Sequence, residues 1–499
     1  MAERSNRRPI WELIVGRAYV DGDPDRCAAW GRRTFGEDRH VAAVVRPGSA
    51  KEVASVMAAA SEFGIPVHPV SRGANWGMGS RAPFEDGAVV LDLSRLDGIS
   101  DYDADLGIVR IEPGVTFAAL AGFLAGHDSE YFISEIGGSP DASVMANSLD
   151  RGDGVMADRW ATLSDLEVVL ADGRRVTTGF SALGADRLKG VMAGAVGPIA
   201  DGLFSQSNLG IVVGARVRLA RMPDDLAIVS ARIDGIETLK RTLVAWRRMQ
   251  GRGAIPDRSV TLWNGVKYLA RDNVRSAYEE EEIRRAETDV WYLSAYLVAE
   301  SPEILQLRAN GVLRGLLETG ARADGAIVRV GGVWQEGCEG LIGKPSPRNL
   351  RTVYWSSETI PGFAEMDPDR DRCGLLWLCL AFPFDENLLA AFAERAQVIL
   401  RPFGIDLNIG VEAESFRCLL SYFSLSYGRE GPESDAMAEE AYRALLAEAE
   451  RHGLAPYRLA NGLPKSTSSG MTDLDAYLSE IRRIGDPAGI LSRGRSGIA

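Results

Sequence analysis

The chain has 499 residues, 46% of them hydrophobic and 25% charged, so two or more globular units with sizeable cores are expected. Its formal net charge of −13 disfavours a nucleic-acid partner, because phosphates require a basic surface. Five scattered cysteines and four isolated histidines indicate no metal site and predict reduced thiols in the cytoplasm. We expect neither a signal peptide nor a membrane span, since no apolar stretch reaches the required length.

The first part of the chain mixes short strands with helices. Strands are predicted over 41–46, 65–70, 87–96 and 107–115. Ser49 is expected to begin a helix in a capping box with Glu52, and this helix should run to Phe63 and end at Gly64. A second helix is predicted over 116–126. This order of elements predicts an α+β fold.

A glycine-rich loop, PVSRGANWGMGS (69–80), follows the strand predicted at 65–70. Gly73, Gly77 and Gly79 allow tight turns and close approach of the backbone to a ligand. Successive backbone N–H groups in such a loop form a concave anion site, for which phosphate is the natural guest. The loop fits neither GxGxxG nor the Walker A spacing, so an ordinary surface turn is the alternative interpretation.

Two further glycine-rich segments precede a change in composition at Met222-Pro223. The first, 135–176, ends in a hairpin signal at Ala171-Asp172-Gly173, and the second, 197–221, ends in a strand. Beyond Pro223 the pattern predicts a second α+β domain. Its clearest elements are helices over 300–318, 384–400 and 433–452 and strands over 374–382 and 418–427.

Four motifs of this sequence match one family pattern. They are PVSRGANWGMGS (69–80), PGV with ASVMANSLDRGDG (113–115 and 142–154), GPIADGLFSQSNLGIV (197–212) and DPAGILSRGRSG (486–497). With them, nearly the whole chain resembles the vanillyl-alcohol oxidase family of flavoproteins, whose FAD domain is called PCMH-type. The likeness is greatest to the branch of vanillyl-alcohol oxidase and 4-cresol dehydrogenase.

The resemblance implies an α+β fold with a PCMH-type, two-subdomain FAD-binding domain. It would be built from 1–222 and a C-terminal return at 456–499, with an inserted α+β cap domain (223–455) covering the flavin ring. The implied cofactor-binding residues are Ser71, Arg72, Gly73, Ala74, Asn75, Trp76, Gly77, Pro113, Gly114, Ser143, Asn147, Asp150, Gly152, Ile211 and Arg495. Backbone N–H groups from Arg72 through Gly77 would hold the pyrophosphate.

The resemblance also implies how substrate is held. Tyr457 and Arg458, in APYRLANG, resemble the pair that binds a phenolate, and a guanidinium suits an oxyanion because it keeps its proton. Met78 stands where a second phenolate-binding tyrosine is expected. The acid/base aspartate of alcohol-oxidising members is also absent, and Glu135 and Asp141 are the nearby acids that could substitute.

Met78, Tyr354 and Trp377 are expected to line the substrate cavity, and packing is the alternative role for the aromatic residues. The strand CGLLWLCLAFPF (373–384) lacks the histidine or tyrosine that tethers FAD in many members, so non-covalent FAD is predicted.

The implied function is oxidation of an aromatic, phenol-like or related hydroxy compound by hydride transfer to flavin N5. The alternatives are a flavin-containing cyclase or lyase with little net redox turnover and a hydroxy-acid oxidoreductase. The implied partners are a small-molecule substrate and either O₂ or another electron acceptor. The family also implies a homo-oligomer, commonly a homodimer.

Overall fold

The computed structural model describes residues 8–134, 136–152, 154–156, 159–468 and 470–498. The described residues form two units. The first contains 8–152, 159–221 and 460–498, and the second contains 154–156 and 222–459. The chain leaves the second unit after Leu459, later than the boundary predicted at 455, so Tyr457 and Arg458 belong to the second unit.

The first unit contains a four-stranded sheet in the order β1-β2-β4-β3. Its strands are β1 Val20–Asp21, β2 Val41–Val45, β3 Val67–Val70 and β4 Ala88–Asp92. β4 is parallel to β2 and β3, whereas β1 is antiparallel to β2. The accompanying helices are α1 Arg8–Val15, α2 Pro24–Gly31 and α3 Ala50–Phe63. Apolar residues of α1, α3 and the strands share one core, in which Trp11, Val56 and Leu91 are fully buried.

The helix predicted between β2 and β3 forms with the predicted ends. The Ser49 side chain accepts a hydrogen bond from the Glu52 N–H, and Gly64 ends α3 in the left-handed region with φ of 62°. The carboxylate of Glu52 accepts from the Gly48 N–H at 2.7 Å, one residue before the predicted partner. The helix therefore starts where the N-cap residue indicates.

A second sheet of the first unit is antiparallel, in the order β5-β6-β10-β8-β9, and a two-stranded ladder pairs β7 with β11. The strands are β5 Ile99–Asp103, β6 Ile108–Ile111, β7 Tyr131–Phe132, β8 Leu163–Val169, β9 Arg175–Thr177, β10 Ile211–Arg218 and β11 Ala220–Arg221. The helices of this part are α4 Phe117–Gly126, α5 Val144–Leu149 and α6 Arg159–Thr162. The hairpin predicted at 171–173 is the connection between β8 and β9.

The second unit is built on a nine-stranded antiparallel sheet, in the order β16-β15-β12-β14-β13-β18-β19-β17-β20. Its strands are β12 Leu226–Asp234, β13 Val260–Asn264, β14 Val290–Val298, β15 Arg322–Val330, β16 Val333–Trp334, β17 Gly374–Pro383, β18 Ile409–Ser415, β19 Cys418–Tyr427 and β20 Ala455–Arg458. Its helices are α7 Ile236–Gly251, α8 Gly265–Leu269, α9 Glu280–Thr288, α10 Pro302–Leu317, α11 Glu386–Leu400 and α12 Pro432–Arg451. The chain then returns to the first unit and forms α13 Asp473–Gly485.

The two faces of this sheet differ in what they carry. Phe423 of β19 packs edge-to-face with Phe392 of α11, which places α11 on the face that Phe423 shares. Because side chains alternate along a strand, Tyr422 lies on the opposite face. Trp263 and Trp377 share the Tyr422 side, since β13, β18, β19 and β17 pair in register. We call this side, with Trp263, Trp377 and Tyr422, the aromatic face.

Among the described residues, no helix has the length and apolar character needed to cross a membrane. Within the same ranges, no group of three or more His, Cys, Asp and Glu side chains is arranged to hold a metal ion.

Candidate functional site

The glycine-rich loop follows β3 and presents unused backbone donors. Gly73 has φ of 70°, which turns the chain into the left-handed region just after Arg72. In the described ranges, the N–H groups of Arg72, Gly73, Ala74 and Asn75 donate to no protein acceptor. Four consecutive free N–H groups in a glycine turn form the concave donor set that binds pyrophosphate oxygens. The loop therefore fits the phosphates of FAD.

The end of this loop is used internally. The Gly77 N–H donates to Thr34 Oγ1 at 2.8 Å, so the predicted donor run to the phosphate ends before Gly77. Met78 and Ser80 both donate their N–H groups to the Asn75 carbonyl. These bonds fix the loop's shape and leave its first half for a ligand. Thr34 is a supporting residue that no sequence motif indicated.

The second predicted FAD segment is joined to the first proline-glycine turn. Ser143 caps α5 and donates its hydroxyl to the Pro113 carbonyl at 2.6 Å. A Cβ at Gly114 would lie 2.5 Å from the Ser94 carbonyl oxygen, so glycine is required there for packing. At Gly152 a Cβ would lie 2.1 Å from Asn147 Oδ1. The Ser143 hydroxyl is therefore used to hold the Pro113 carbonyl, and Gly114 is needed for close packing. Any contact of these two residues with a cofactor would come from their backbone carbonyl and N–H groups.

Two predicted cofactor residues form an ion pair within the first unit. Arg495 Nη2 contacts Asp150 Oδ1, which joins the C-terminal segment to the end of α5. Asn147 Oδ1 accepts a bond from Arg159, a buried arginine outside the predicted set. The side chain of Ile211 is buried in the core with Val213 and Leu91, so only its backbone is available for a cofactor.

His68 is a packed residue of β3, as its apolar neighbours in the sequence predict. Its ring is 4% exposed, and Nδ1 lies 3.0 Å from Ser492 Oγ. Burial, assisted by the positive charge of Arg495, lowers the pKa of His68 to about 3 from an ordinary 6.5.

This shift predicts a pH dependence of stability. Between about pH 6.5 and pH 3, His68 binds a proton in the unfolded chain but stays neutral in the folded chain. The free energy of unfolding therefore falls as the pH falls through this range. From about pH 7 to about pH 5 the expected loss is up to about 2 kcal/mol. In His68→Asn this part of the loss should vanish, measured as the change in urea midpoint between the two pH values. The exposed His40→Asn is the control, and an unchanged pH dependence in His68→Asn would contradict the assignment.

The two predicted acids are placed differently. The Asp141 side chain is exposed, and its carbonyl accepts a bond from Arg72 Nε at 3.3 Å, next to the glycine-rich loop. The carboxylate of Asp141 therefore lies at the surface of the first unit and not in a buried setting. Glu135 lies outside the described residues.

In the second unit, strand pairing places Arg458 at one end of a row of residues that crosses the sheet. Arg458 pairs with Cys379, and Cys379 pairs with Tyr422. The row continues through Gly410 to Trp263. Directly paired residues of antiparallel strands share a face, so Arg458 lies on the aromatic face. A cationic group and polarisable rings are thereby collected from four distant strands.

Tyr457 occupies an irregularity of β20. Pro456 pairs with Leu380 and Arg458 with Cys379, so Tyr457 is the extra residue of a β-bulge against β17. Bulges re-aim side chains and occur next to binding sites. The side chain of Tyr457 is therefore not bound to strict alternation, whereas Arg458 keeps its pairing with Cys379, and both residues are half-buried.

The predicted cavity residues belong to different units and differ in burial. Met78 is 5% exposed in the first unit, where its carbonyl accepts from the Asn461 N–H. Tyr354 is 1% exposed, and its hydroxyl donates to Asp371 Oδ2 at 2.7 Å. The ring of Tyr354 is therefore packed in the second unit, and its hydroxyl is used in the hydrogen bond to Asp371. Tyr354 is not part of the proposed site. Trp377 is half-buried on the aromatic face.

A buried lysine on the aromatic face was missed by sequence reasoning. Lys267 is 3% exposed and lies in α8, whose N-cap is Asn264 at the end of β13. Its Nζ lies 4.9 Å from the Trp377 ring centroid, 5.0 Å from Tyr422 and 5.7 Å from Trp263. Burial lowers the pKa of Lys267 to about 7.

Comparisons with known proteins identify the family and the fold of the chain. The FAD binding domain family matches residues 41–179. The chain is 32% identical to 1'-carboxy-chondrochloren decarboxylase of Chondromyces crocatus, over 97% of this chain and 95% of that protein. It is 25% identical to the 4-cresol dehydrogenase (hydroxylating) flavoprotein subunit of Pseudomonas putida, over 91% of this chain and 88% of that protein. The crystal structure of p-cresol methylhydroxylase with substrate bound has a TM-score of 0.88 at 22% identity, covering 100% of this chain and 98% of that chain.

The chain belongs to the vanillyl-alcohol oxidase family of FAD-binding flavoproteins, with the PCMH-type fold. FAD is its cofactor, and the family is one of FAD-dependent oxidoreductases. The free N–H groups at 72–75 fit the pyrophosphate of this cofactor.

Proposed function

We propose that this protein oxidises an aromatic, phenol-like compound and that Arg458 and Tyr457 hold the phenolic oxygen as an anion. The observation that carries the proposal is the position of Arg458 on the aromatic face, in one row with Tyr422 and Trp263. Aromatic rings provide a surface for an aromatic substrate, and a guanidinium that stays charged stabilises an oxyanion.

FAD, when bound, supplies the hydride acceptor at flavin N5. The substrate would lose a hydride from the carbon next to its ring and a proton from its phenolic oxygen. Because the hydride carries two electrons, the substrate is oxidised by two electrons. Arg458 would stabilise the phenolate before the hydride leaves, which avoids a cationic carbon in the product. Asp141 is exposed, so another group would have to accept the proton of the substrate's phenol. A methionine stands at position 78 in place of the second phenolate-binding tyrosine, so Tyr457 is the first candidate for both tasks.

A second candidate function is oxidative decarboxylation of an aromatic acid. The relative with 32% identity is named a decarboxylase, and Lys267 adds an unpaired cation to the aromatic face. In such a reaction the benzylic carbon would give up a hydride, for which FAD is the acceptor, and the neighbouring carbon would lose CO₂. The electrons of the broken carbon–carboxylate bond then form the alkene.

A substrate panel tests the two candidates together. The holoenzyme would be mixed without oxygen with para-hydroxybenzyl alcohol, para-ethylphenol, para-hydroxyphenylpropionate, lactate and glycolate, and flavin bleaching and CO₂ would be measured. Bleaching by the alcohol or the ethylphenol supports the first candidate, and CO₂ equal to the flavin reduced supports the second. Bleaching by lactate or glycolate alone would favour a hydroxy-acid oxidoreductase, and product without bleaching a cyclase or lyase.

We expect FAD to be released by acid. The β17 residues on the aromatic face are Leu375, Trp377, Cys379 and Ala381, none of which matches the usual tethering residue types. Acid precipitation should therefore leave yellow FAD in the supernatant. Yellow colour in the pellet would contradict this prediction and would make Tyr422, a phenol on the neighbouring strand, the first attachment site to sequence.

The proposal includes two further points. The protein forms a homo-oligomer, and O₂ or another electron acceptor reoxidises the reduced flavin. Light scattering of the holoenzyme and its reoxidation rate in air test these two points.

A further inference from the structure

In the described part of the second unit, a buried ammonium donates only to neutral acceptors. Lys267 Nζ is 3.2 Å from Ser424 Oγ and 3.5 Å from Asn408 Oδ1, both neutral acceptors. Among the described residues, no carboxylate forms an ion pair with Lys267, and Glu412 acts on its ammonium only through a longer-range electrostatic attraction. An unpaired buried ammonium is unfavourable, which is the cause of its lowered pKa.

Asn408 adds a second donor beside the ammonium. Asn408 is 1% exposed, and in the described structure its Nδ2 is buried without a hydrogen-bond partner. The amide orientation follows from Lys267, because a cation favours the oxygen of Asn408 over its NH₂ group. A buried amide donor without an acceptor costs free energy and so needs an explanation.

The position of both donors is fixed by one residue. Asn264 Oδ1 accepts from the N–H groups of Lys267 and Ile409, and its Nδ2 donates to the carbonyls of Glu287 and Leu407. Asn264 thereby joins the start of α8 to the segment that carries Asn408. This frame holds the two donors in place, and in the described structure the Asn408 Nδ2 group stays without an acceptor.

We propose that Lys267 and Asn408 form a subsite that binds the carboxylate of an aromatic acid substrate. A carboxylate has two oxygens, which match an ammonium and an amide NH₂ lying side by side. The half-buried rings of Trp263, Trp377 and Tyr422 surround the ammonium and suit the hydrocarbon part of such an acid. The inference rests on the proposed function, because it concerns the same aromatic face as Arg458.

Two ligands that differ only in the carboxylate test the subsite. Binding of para-hydroxyphenylpropionate and of para-ethylphenol to the oxidised holoenzyme would be measured by calorimetry. The wild-type protein should bind the propionate about tenfold more tightly or better, as one charge-assisted hydrogen bond allows. Lys267→Met should remove this preference and leave the affinity for para-ethylphenol within about twofold.

Asn408→Asp is the second variant, and Lys240→Met is the control. The new carboxylate at 408 would pair with Lys267 and fill the subsite from within, so the preference should again be lost. Replacing an unpaired buried charge by Met is expected to leave the fold intact, which the melting temperature checks. Lys240 is a lysine of α7 paired with Glu237, and its loss changes net charge equally without touching the subsite.

The outcomes separate this inference from the proposed function. A wild-type protein without preference for the propionate, or a Lys267→Met variant that keeps it, overturns the subsite. If the propionate binds through Lys267 but no phenol reduces the flavin, the subsite stands and the proposed oxidation fails. If phenols reduce the flavin but the wild-type protein shows no preference for the propionate, the proposed oxidation stands and the subsite is overturned.

Discussion

Replacing Arg458 by Met is expected to slow flavin reduction by a phenolic substrate roughly a hundred- to a thousand-fold, the effect of removing one oxyanion-stabilising group. The cause is the loss of the cation that lies on the aromatic face in line with Cys379 and Tyr422. The rate of anaerobic flavin bleaching measures the effect, and FAD content shows that the fold is kept.

Two further variants make this prediction specific. Arg458→Lys should recover part of the rate, because it restores the charge without the planar fork of the guanidinium. Arg322→Met removes an exposed arginine of the same sheet, which lies opposite Arg232 in the strand register and forms an ion pair with Asp234. This variant should leave the rate of flavin reduction unchanged. Bleaching by Arg458→Met at the wild-type rate would remove Arg458 from the proposed site.

Replacing Gly79 by Ala is expected to cost the protein about 2 to 4 kcal/mol and to release FAD, from combined backbone strain and overpacking. Gly79 has φ of 125°, and an added Cβ would lie 2.6 Å from the Asn461 Cβ and 2.5 Å from its Nδ2. Asn461 holds the glycine-rich loop through the Met78 carbonyl, so its displacement disturbs the donors at 72–75. Denaturant unfolding and FAD content measure the two effects.

Gly87→Ala is the matched control for strain alone. Gly87 also has a positive φ, 79°, but an added Cβ would meet no atom within 4 Å. It should lose only about 1 to 3 kcal/mol and keep its FAD. Asn461→Gly added to Gly79→Ala should recover the steric part of the loss, which a double-mutant cycle isolates. Full FAD content in Gly79→Ala would contradict the role given to this contact.

Local signals predicted the parts of the fold that depend on neighbours in sequence. Ser49 and Gly64 predicted the ends of α3, and the glycine-rich loop forms after the strand predicted before it. The loop's internal bonding was beyond reach, because the acceptor for Gly77 is Thr34, far away in the chain. Sequence therefore predicted a turn rich in backbone donors, but not that the Gly77 N–H is used to hold the shape of the loop.

The aromatic face shows what sequence cannot supply. Lys267 follows the strand signal of Trp263 and the N-cap signal of Asn264, which together predict a helix start but nothing about burial. Its surroundings come from β17, β18 and β19, more than a hundred residues later, through the register of their pairing. Tyr354, an aromatic residue expected at a cavity, donates its hydroxyl to Asp371 Oδ2, a partner that its neighbours in sequence do not indicate.

The most direct test of the central claim is anaerobic mixing of the holoenzyme with a phenolic substrate carrying hydrogen or deuterium at the benzylic carbon. The proposed hydride transfer predicts bleaching of the oxidised flavin's visible band, slower with deuterium, and return of the band when O₂ or another acceptor is admitted. A flavin that stays oxidised with every phenol of the panel would contradict the proposed function.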